Sequence, residues 1–132
     1  MTTQLSVLVA DDHPVFREAA LQILEEAGHT VRTAADGPEA LRKLAGGWFD
    51  VLLTDVLMPG MDGIELISEV RRQHPGVQII AMSGGGNGRA REDFLHIAAS
   101  SGAGAVLEKP FQANELLERL RELCPWTSAV AG

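Results

Sequence analysis

The sequence predicts a three-layer α/β fold, a five-stranded parallel sheet covered by five helices. Two observations carry that prediction. Short runs rich in Val, Ile and Leu alternate along the chain with segments of helical periodicity, the pattern of strand–helix–strand units. Four of the runs also end on a residue useful in phosphate chemistry: residues 7–10 lead into Asp11 and Asp12, 51–54 into Asp55, 78–82 into Ser83, and 105–108 into Lys109. In a parallel sheet such ends share one edge, and ligands bind in the crevice there.

The first strand is residues 6–10. Pro14 follows at the first turn of a helix, where a missing N–H is tolerated. Phe16, Ala20, Ile23, Leu24 and Ala27 give that helix an apolar face, and Gly28 ends it. The second strand is 30–34, after which Asp36 and Glu39 stand at capping-box spacing ahead of Ala40, Leu41 and Leu44. Beyond Gly46 and Gly47 comes the third strand, 51–55, then a turn through Met58, Pro59 and Gly60, with Asp62 and Glu65 again spaced as a cap. The third helix runs to Gln73. The fourth strand, 77–82, breaks into the glycine-rich stretch from Gly84 to Gly88, after which Phe94, Leu95, Ile97 and Ala98 mark a helix ending near Ser101. The fifth strand is 105–109, and a fifth helix over 113–123 lines up Leu116, Leu117, Leu120 and Leu123. Right-handed crossovers leave few arrangements for these elements. The flavodoxin-like strand order 2-1-3-4-5 has its switch point between strands 1 and 3, which brings Asp11, Asp12 and Asp55 together beside Ser83 and Lys109.

At 132 residues the chain is expected to form one domain over 1–125, with an Ala/Gly-rich tail over 126–132 that frays. Hydrophobic residues are 45% and charged residues 22%, and no window approaches the ~18 apolar residues of a membrane span. The first four residues are too short and uncharged for a secretory signal. Cys124 is the single cysteine, so an intramolecular disulfide is excluded and a reducing, cytoplasmic setting is expected. A net charge of −7 opposes attraction to nucleic acid phosphates. Neither nucleic acid nor membrane is expected as a partner.

Three crowded carboxylates repel, by ~4 kcal/mol for a pair 4 Å apart at an effective dielectric of 20. Protonation of one of them relieves this, as does a hard cation; Mg²⁺ suits because it uses few carboxylates and keeps its waters. A carboxylate also acts as a nucleophile toward phosphorus when the charge on the transferring oxygens is neutralised. Asp55, alone at the end of the central strand, is the candidate nucleophile. Asp11 and Asp12 are better placed to hold the metal, Lys109 adds a fixed positive charge, and Ser83 can donate a hydrogen bond to a phosphoryl oxygen. The bland alternatives are solvated or helix-capping acids, a turn serine and a surface lysine, and the joint pattern outweighs them. The glycine run lacks the Gly-Lys-Ser/Thr ending of a P-loop and reads as a flexible connection, with an anion-binding nest of successive N–H groups as the minority reading. His13, His29, His74 and His96 show no metal-ligand spacing and read as loop or surface residues, and Trp48 and Trp126 fall outside the site.

These residues closely resemble the receiver domains of two-component response regulators. The matching segments are Val9-Ala10-Asp11-Asp12-His13-Pro14, the stretch from Leu53 through Asp55, Met58, Pro59 and Gly60 to Gly63, Ala81-Met82-Ser83, and Lys109-Pro110-Phe111. The resemblance implies that Asp55 accepts a phosphoryl group from a histidine kinase or histidine phosphotransfer protein. It implies Mg²⁺ on Asp12, Asp55 and the backbone carbonyl of Leu57, with Asp11 acting through water. Ser83 is then the hydroxyl that moves onto the phosphoryl group, Lys109 the cation that bonds it, and the Lys109–Pro110 peptide is cis. Partner or dimer contacts are implied on the face of helix 4, strand 5 and helix 5, the chain being a monomer or a weak homodimer. Two departures stand out: Val106 replaces the aromatic residue whose rotation reports phosphorylation in many receivers, and the connection from Gly84 to Gly88 is unusually glycine-rich.

The expected function is a stand-alone, phosphorylation-dependent signalling module acting on an unidentified downstream protein, not an enzyme that turns over external substrate. A phosphatase of the haloacid dehalogenase type needs a second Asp two residues after the nucleophile, where this chain has Leu57. A pseudo-receiver that binds partners without phosphorylation is disfavoured by the intact Asp11, Asp12, Asp55, Ser83 and Lys109 set.

Overall fold

The computed structural model describes residues 4–56, 58, 60, 61, 63–84, 96 and 98–125. In chain order its elements are β1 (Ser6–Ala10), α1 (Pro14–Glu26), β2 (Thr30–Ala34), α2 (Gly37–Ala45), β3 (Val51–Asp55), α3 (Gly63–Gln73) and β4 (Gln78–Ser83). They continue with α4, described at 96 and 98–101, then β5 (Ala105–Glu108) and α5 (Ala113–Leu123). The strands are hydrogen-bonded in the order β2-β1-β3-β4-β5, every neighbouring pair parallel. This is the flavodoxin-like arrangement that the sequence predicts.

The three central strands are apolar on both faces because helices cover both. Leu8 and Ala10 of β1, Leu52 of β3 and Ile79 and Ala81 of β4 join Ala40 and Leu44 of α2 and Leu66, Ile67 and Val70 of α3 in one core cluster. Their alternates, Val7, Val9, Val51, Leu53, Ile80 and Met82, pack against Ala20 and Leu24 of α1 and Leu116, Leu120 and Cys124 at α5. All five residues of β3 are buried, which places its terminal Asp55 at the centre of the sheet edge.

Strand and helix ends follow local chemistry. The C-terminus of α1 closes as a Schellman turn: Gly28 takes a left-handed φ of 95°, its N–H donates to Glu25 O and that of His29 to Leu24 O. At α2 the Asp36 side chain accepts from Glu39 N at 2.8 Å, but Glu39 Oε1 accepts from Ala35 N, one residue earlier than a capping box requires. The cap read from Asp62 and Glu65 involves Asp62, outside the described residues. An unforeseen box starts α5, where Gln112 N donates to Glu115 Oε1 at 2.9 Å.

The fourth strand lies one residue later than the sequence suggests. Val77 is buried, which extends the apolar run, but its N–H donates to His74 O in a turn. Ser83, in register with Glu108, is the last residue of β4. Strand β5 stops at Glu108, and Lys109 follows with its N–H donating to Ser83 O at 2.8 Å. The Lys109–Pro110 peptide is cis.

Candidate functional site

Parallel order delivers the predicted residues to one edge. Asp11 N donates to Ala34 O at 3.0 Å, prolonging the β1–β2 pairing by one residue and seating Asp11 fully buried. Asp12, next in the chain, is exposed. Asp55 at the end of β3 and Ser83 at the end of β4 are both buried. Carboxylate oxygens of Asp11, Asp12 and Asp55 lie within 4.8 Å of one another. Leu57, the remaining residue expected at the metal, lies outside the described residues, as do residues 85–88 of the glycine-rich connection.

Lys109 reaches into this cluster with its side chain only 5% exposed, so it is no surface cation. Its Nζ stands 2.6 Å from Asp11 Oδ2 and 3.5 Å from Asp55 Oδ2. The ammonium meets Asp11 Oδ2 off the hydrogen-bonding direction, so that buried oxygen is charge-paired without an aligned hydrogen bond. The other oxygen, Oδ1, accepts from His13 N at 2.9 Å, and Arg17 Nη1 donates to Asp11 O at 2.9 Å. Asp11 is thus held from three sides.

Among the described residues one ammonium faces three carboxylates, and the ligand atoms that these carboxylates offer are all oxygens. That donor set fits a hard divalent cation such as Mg²⁺, which binds through one or two carboxylates and retains waters. Asp11, Asp12 and Asp55 are the carboxylates that could hold such a cation, with Lys109 paired to Asp11 and Asp55.

Two close approaches shape the walls. A Cβ on Gly63 would stand 2.1 Å from Asp55 O and 2.5 Å from Val56 Cα, so the start of α3 is pressed against the backbone that carries Asp55. A Cβ on Gly84 would stand 2.7 Å from Lys109 Cδ, so the lysine stem runs along the end of β4.

Sequence reading missed Phe16 and Arg17. Periodicity assigns Phe16 to the core face of the first helix, yet it belongs to neither core cluster, and its ring centroid lies 4.5 Å from Lys109 Nζ. The available signal was Pro14: it starts α1 so soon after Asp11 that the first turn overhangs the strand ends. His29 is also more than a surface residue, since its Nδ1 accepts from Leu5 N at 3.1 Å. Trp48, 93% exposed ahead of β3, stays outside the site.

An acidic cluster with a buried lysine at the carboxyl edge of a 2-1-3-4-5 sheet is a site suited to phosphate chemistry. Residues 7–121 match the response regulator receiver domain, and the chain belongs to that family. It is 37% identical over 117 residues to the transcriptional regulatory protein TcrA of Mycobacterium tuberculosis, covering 89% of this chain and 45% of TcrA. It is likewise 37% identical over 120 residues to the sensor protein EvgS of Escherichia coli K12, covering 91% of this chain and 10% of EvgS. The CheY-like response regulator receiver domain protein of Methanospirillum hungatei JF-1 superposes with a TM-score of 0.82 at 29% identity, covering 96% of this chain and 99% of that one. The chain therefore spans less than half the length of these two curated relatives. Receiver domains are two-component signalling modules that work with histidine kinases and do not turn over external substrates. Among the described residues no helix is long and apolar enough to cross a membrane.

Proposed function

We propose that Asp55 accepts a phosphoryl group from a phosphohistidine on a histidine kinase or phosphotransfer protein, and that the phosphorylated chain engages a downstream protein in the cytoplasm. The observation that carries this reading is the setting of Asp55: a buried strand-end carboxylate, 3.5 Å from the Lys109 ammonium and within 4.8 Å of two further carboxylates. A carboxylate oxygen of Asp55 attacks phosphorus as the donor P–N bond breaks, and the imidazole leaves with the bonding pair. Asp12, Asp55 and the Leu57 carbonyl would hold Mg²⁺, with Asp11 acting through water, and the bound cation would neutralise charge on the phosphoryl oxygens. Lys109 shifts from Asp11 toward the new phosphoryl oxygens, and the Ser83 hydroxyl donates to one of them. The only reactions the domain catalyses are its own phosphorylation and dephosphorylation.

Output is carried by α4, β5 and α5. Val106 on β5 offers no ring to rotate, so the message travels from Ser83 along the backbone into α4. Gly84, the first residue of that connection, favours a hinge because it lacks a side chain.

Incubation with acetyl phosphate and Mg²⁺, followed by intact mass, is expected to show one added phosphoryl group that is acid-stable and base-labile. Asp55→Asn is expected to abolish it. Modification persisting in that variant removes Asp55 from the role.

A further inference from the structure

An ammonium on a flexible four-carbon stem is strongly hydrated, and burying it requires partners that replace water. Lys109 has two charged ones, Asp11 Oδ2 at 2.6 Å and Asp55 Oδ2 at 3.5 Å, with its side chain 5% exposed. The third element around it is apolar. The Phe16 ring centroid lies 4.5 Å from Nζ, inside the ~6 Å reach over which an aromatic face attracts a cation. The His13 ring meets Phe16 at 5.4 Å with an interplanar angle of 67°, an edge-to-face contact that fixes the orientation of the phenyl group.

We propose that Phe16 is a positioning residue for Lys109, holding the ammonium by its ring face at the place from which it meets the phosphoryl group on Asp55. The proposal rests on the reading of Asp55 as phosphoacceptor. Among the described residues Phe16 belongs to neither core cluster, and it is only half-buried. The ring face attracts the cation without adding negative charge, whereas a further carboxylate would repel the incoming phosphoryl group. Nor does the ring saturate the three N–H donors of the ammonium, which stay available to phosphoryl oxygens. On the β4 side the stem is confined by the backbone at Gly84, where a Cβ would lie 3.0 Å from Lys109 Cβ. Between the ring and this strand end, the path left to Nζ runs between Asp11 and Asp55.

The test compares Phe16→Leu, which keeps apolar bulk but removes the aromatic face, with Phe16→Trp, which keeps the face. Acetyl phosphate is the donor, so that no protein docking contact enters the measurement. At saturating Mg²⁺, Phe16→Leu is expected to lower the maximal phosphorylation rate roughly 3- to 10-fold, the scale of one partly desolvated cation–ring contact. Its melting temperature and Mg²⁺ affinity should stay near wild type, and Phe16→Trp should recover most of the rate. A wild-type rate in Phe16→Leu, or equal slowing in both variants, overturns the proposal. A second readout needs no phosphate: the Lys109 ε-methylene protons should be shifted upfield by the ring current in wild type, released in Phe16→Leu and shifted again in Phe16→Trp. If wild type shows that pattern but takes up no phosphoryl group, the phosphoacceptor reading falls while the placement of Lys109 by Phe16 stands. If the ring-current shift is missing from wild type, the placement itself is wrong.

Discussion

Gly63 has no room for a side chain, because the three atoms a Cβ would strike, Asp55 O, Val56 Cα and Asp55 C, all belong to the main chain. Asp55 O at 2.1 Å and Val56 Cα at 2.5 Å cannot rotate away, and Gly63 N is tied to Val56 O at 3.0 Å. Gly63→Ala is therefore expected to destabilise by about 2 kcal/mol or more, since overpacking against a backbone forces the start of α3 off the end of β3. Urea unfolding checks this through a lowered midpoint at unchanged slope. Gly76→Ala, with open space around it, should stay within about 0.5 kcal/mol of wild type. Cys124 gives a second reading at this scale. Burial, then the nearby Asp50 charge, push its thiol from an ordinary 9.0 to about 11. Alkylation at pH 8 should accordingly run about 100-fold slower than in the unfolded chain on thiolate content alone. Asp11, Asp12, Asp55, Ser83 and Lys109 were legible as polar residues at or just past the ends of apolar runs. Phe16, Arg17 and Gly63 were not, because their roles arise from proximity to residues on other elements, which no local pattern encodes.

The junction of α1 with β2 puts a titratable ring into a backbone contact. His29 Nδ1 accepts from Leu5 N at the entry to β1, so the neutral imidazole is the form the fold uses, and burial lowers its pKa below 6.5. The sign follows from linkage. As pH falls below 6.5 the unfolded chain takes up a proton that the folded one resists, so the stability present above 6.5 is lost progressively on the way down through the folded value. Urea unfolding between pH 7 and pH 5 should show this decline, and His29→Asn, which keeps an acceptor without a proton-binding ring, should flatten it. An unchanged slope in that variant sets the effect elsewhere. Elements were legible where periodicity and stop signals agree: β1, β2, β3 and α5 fall where the sequence puts them. Strand β4 slipped by one because Val77 is buried as a turn residue, and burial alone does not distinguish a strand from the turn that feeds it.

Over the whole molecule, parallel topology was legible because right-handed crossovers leave few ways to join alternating strands and helices, and that topology alone brings the acidic residues to one edge. It also imposes a cost. In a chain of net charge −7, three carboxylates with oxygens within 4.8 Å repel, and Lys109 brings a single positive charge against them. A cation that binds only the folded state adds RT ln(1 + [L]/Kd), or ~2.7 kcal/mol at 100 times its Kd. Mg²⁺ is therefore expected to raise the melting temperature without any phosphodonor, beyond the effect of a monovalent salt at equal ionic strength. Screening by salt and binding of a cation separate in Asp12→Ala. Removing this exposed carboxylate lessens the repulsion, so the metal-free variant should be at least as stable as wild type, yet it should lose most of the Mg²⁺ increment because a ligand is gone. If Mg²⁺ and the monovalent salt move the wild-type melting temperature equally, the edge acts as a screened acidic patch and the metal assignment fails. If Asp12→Ala keeps the full increment, the cation sits elsewhere on the acidic surface.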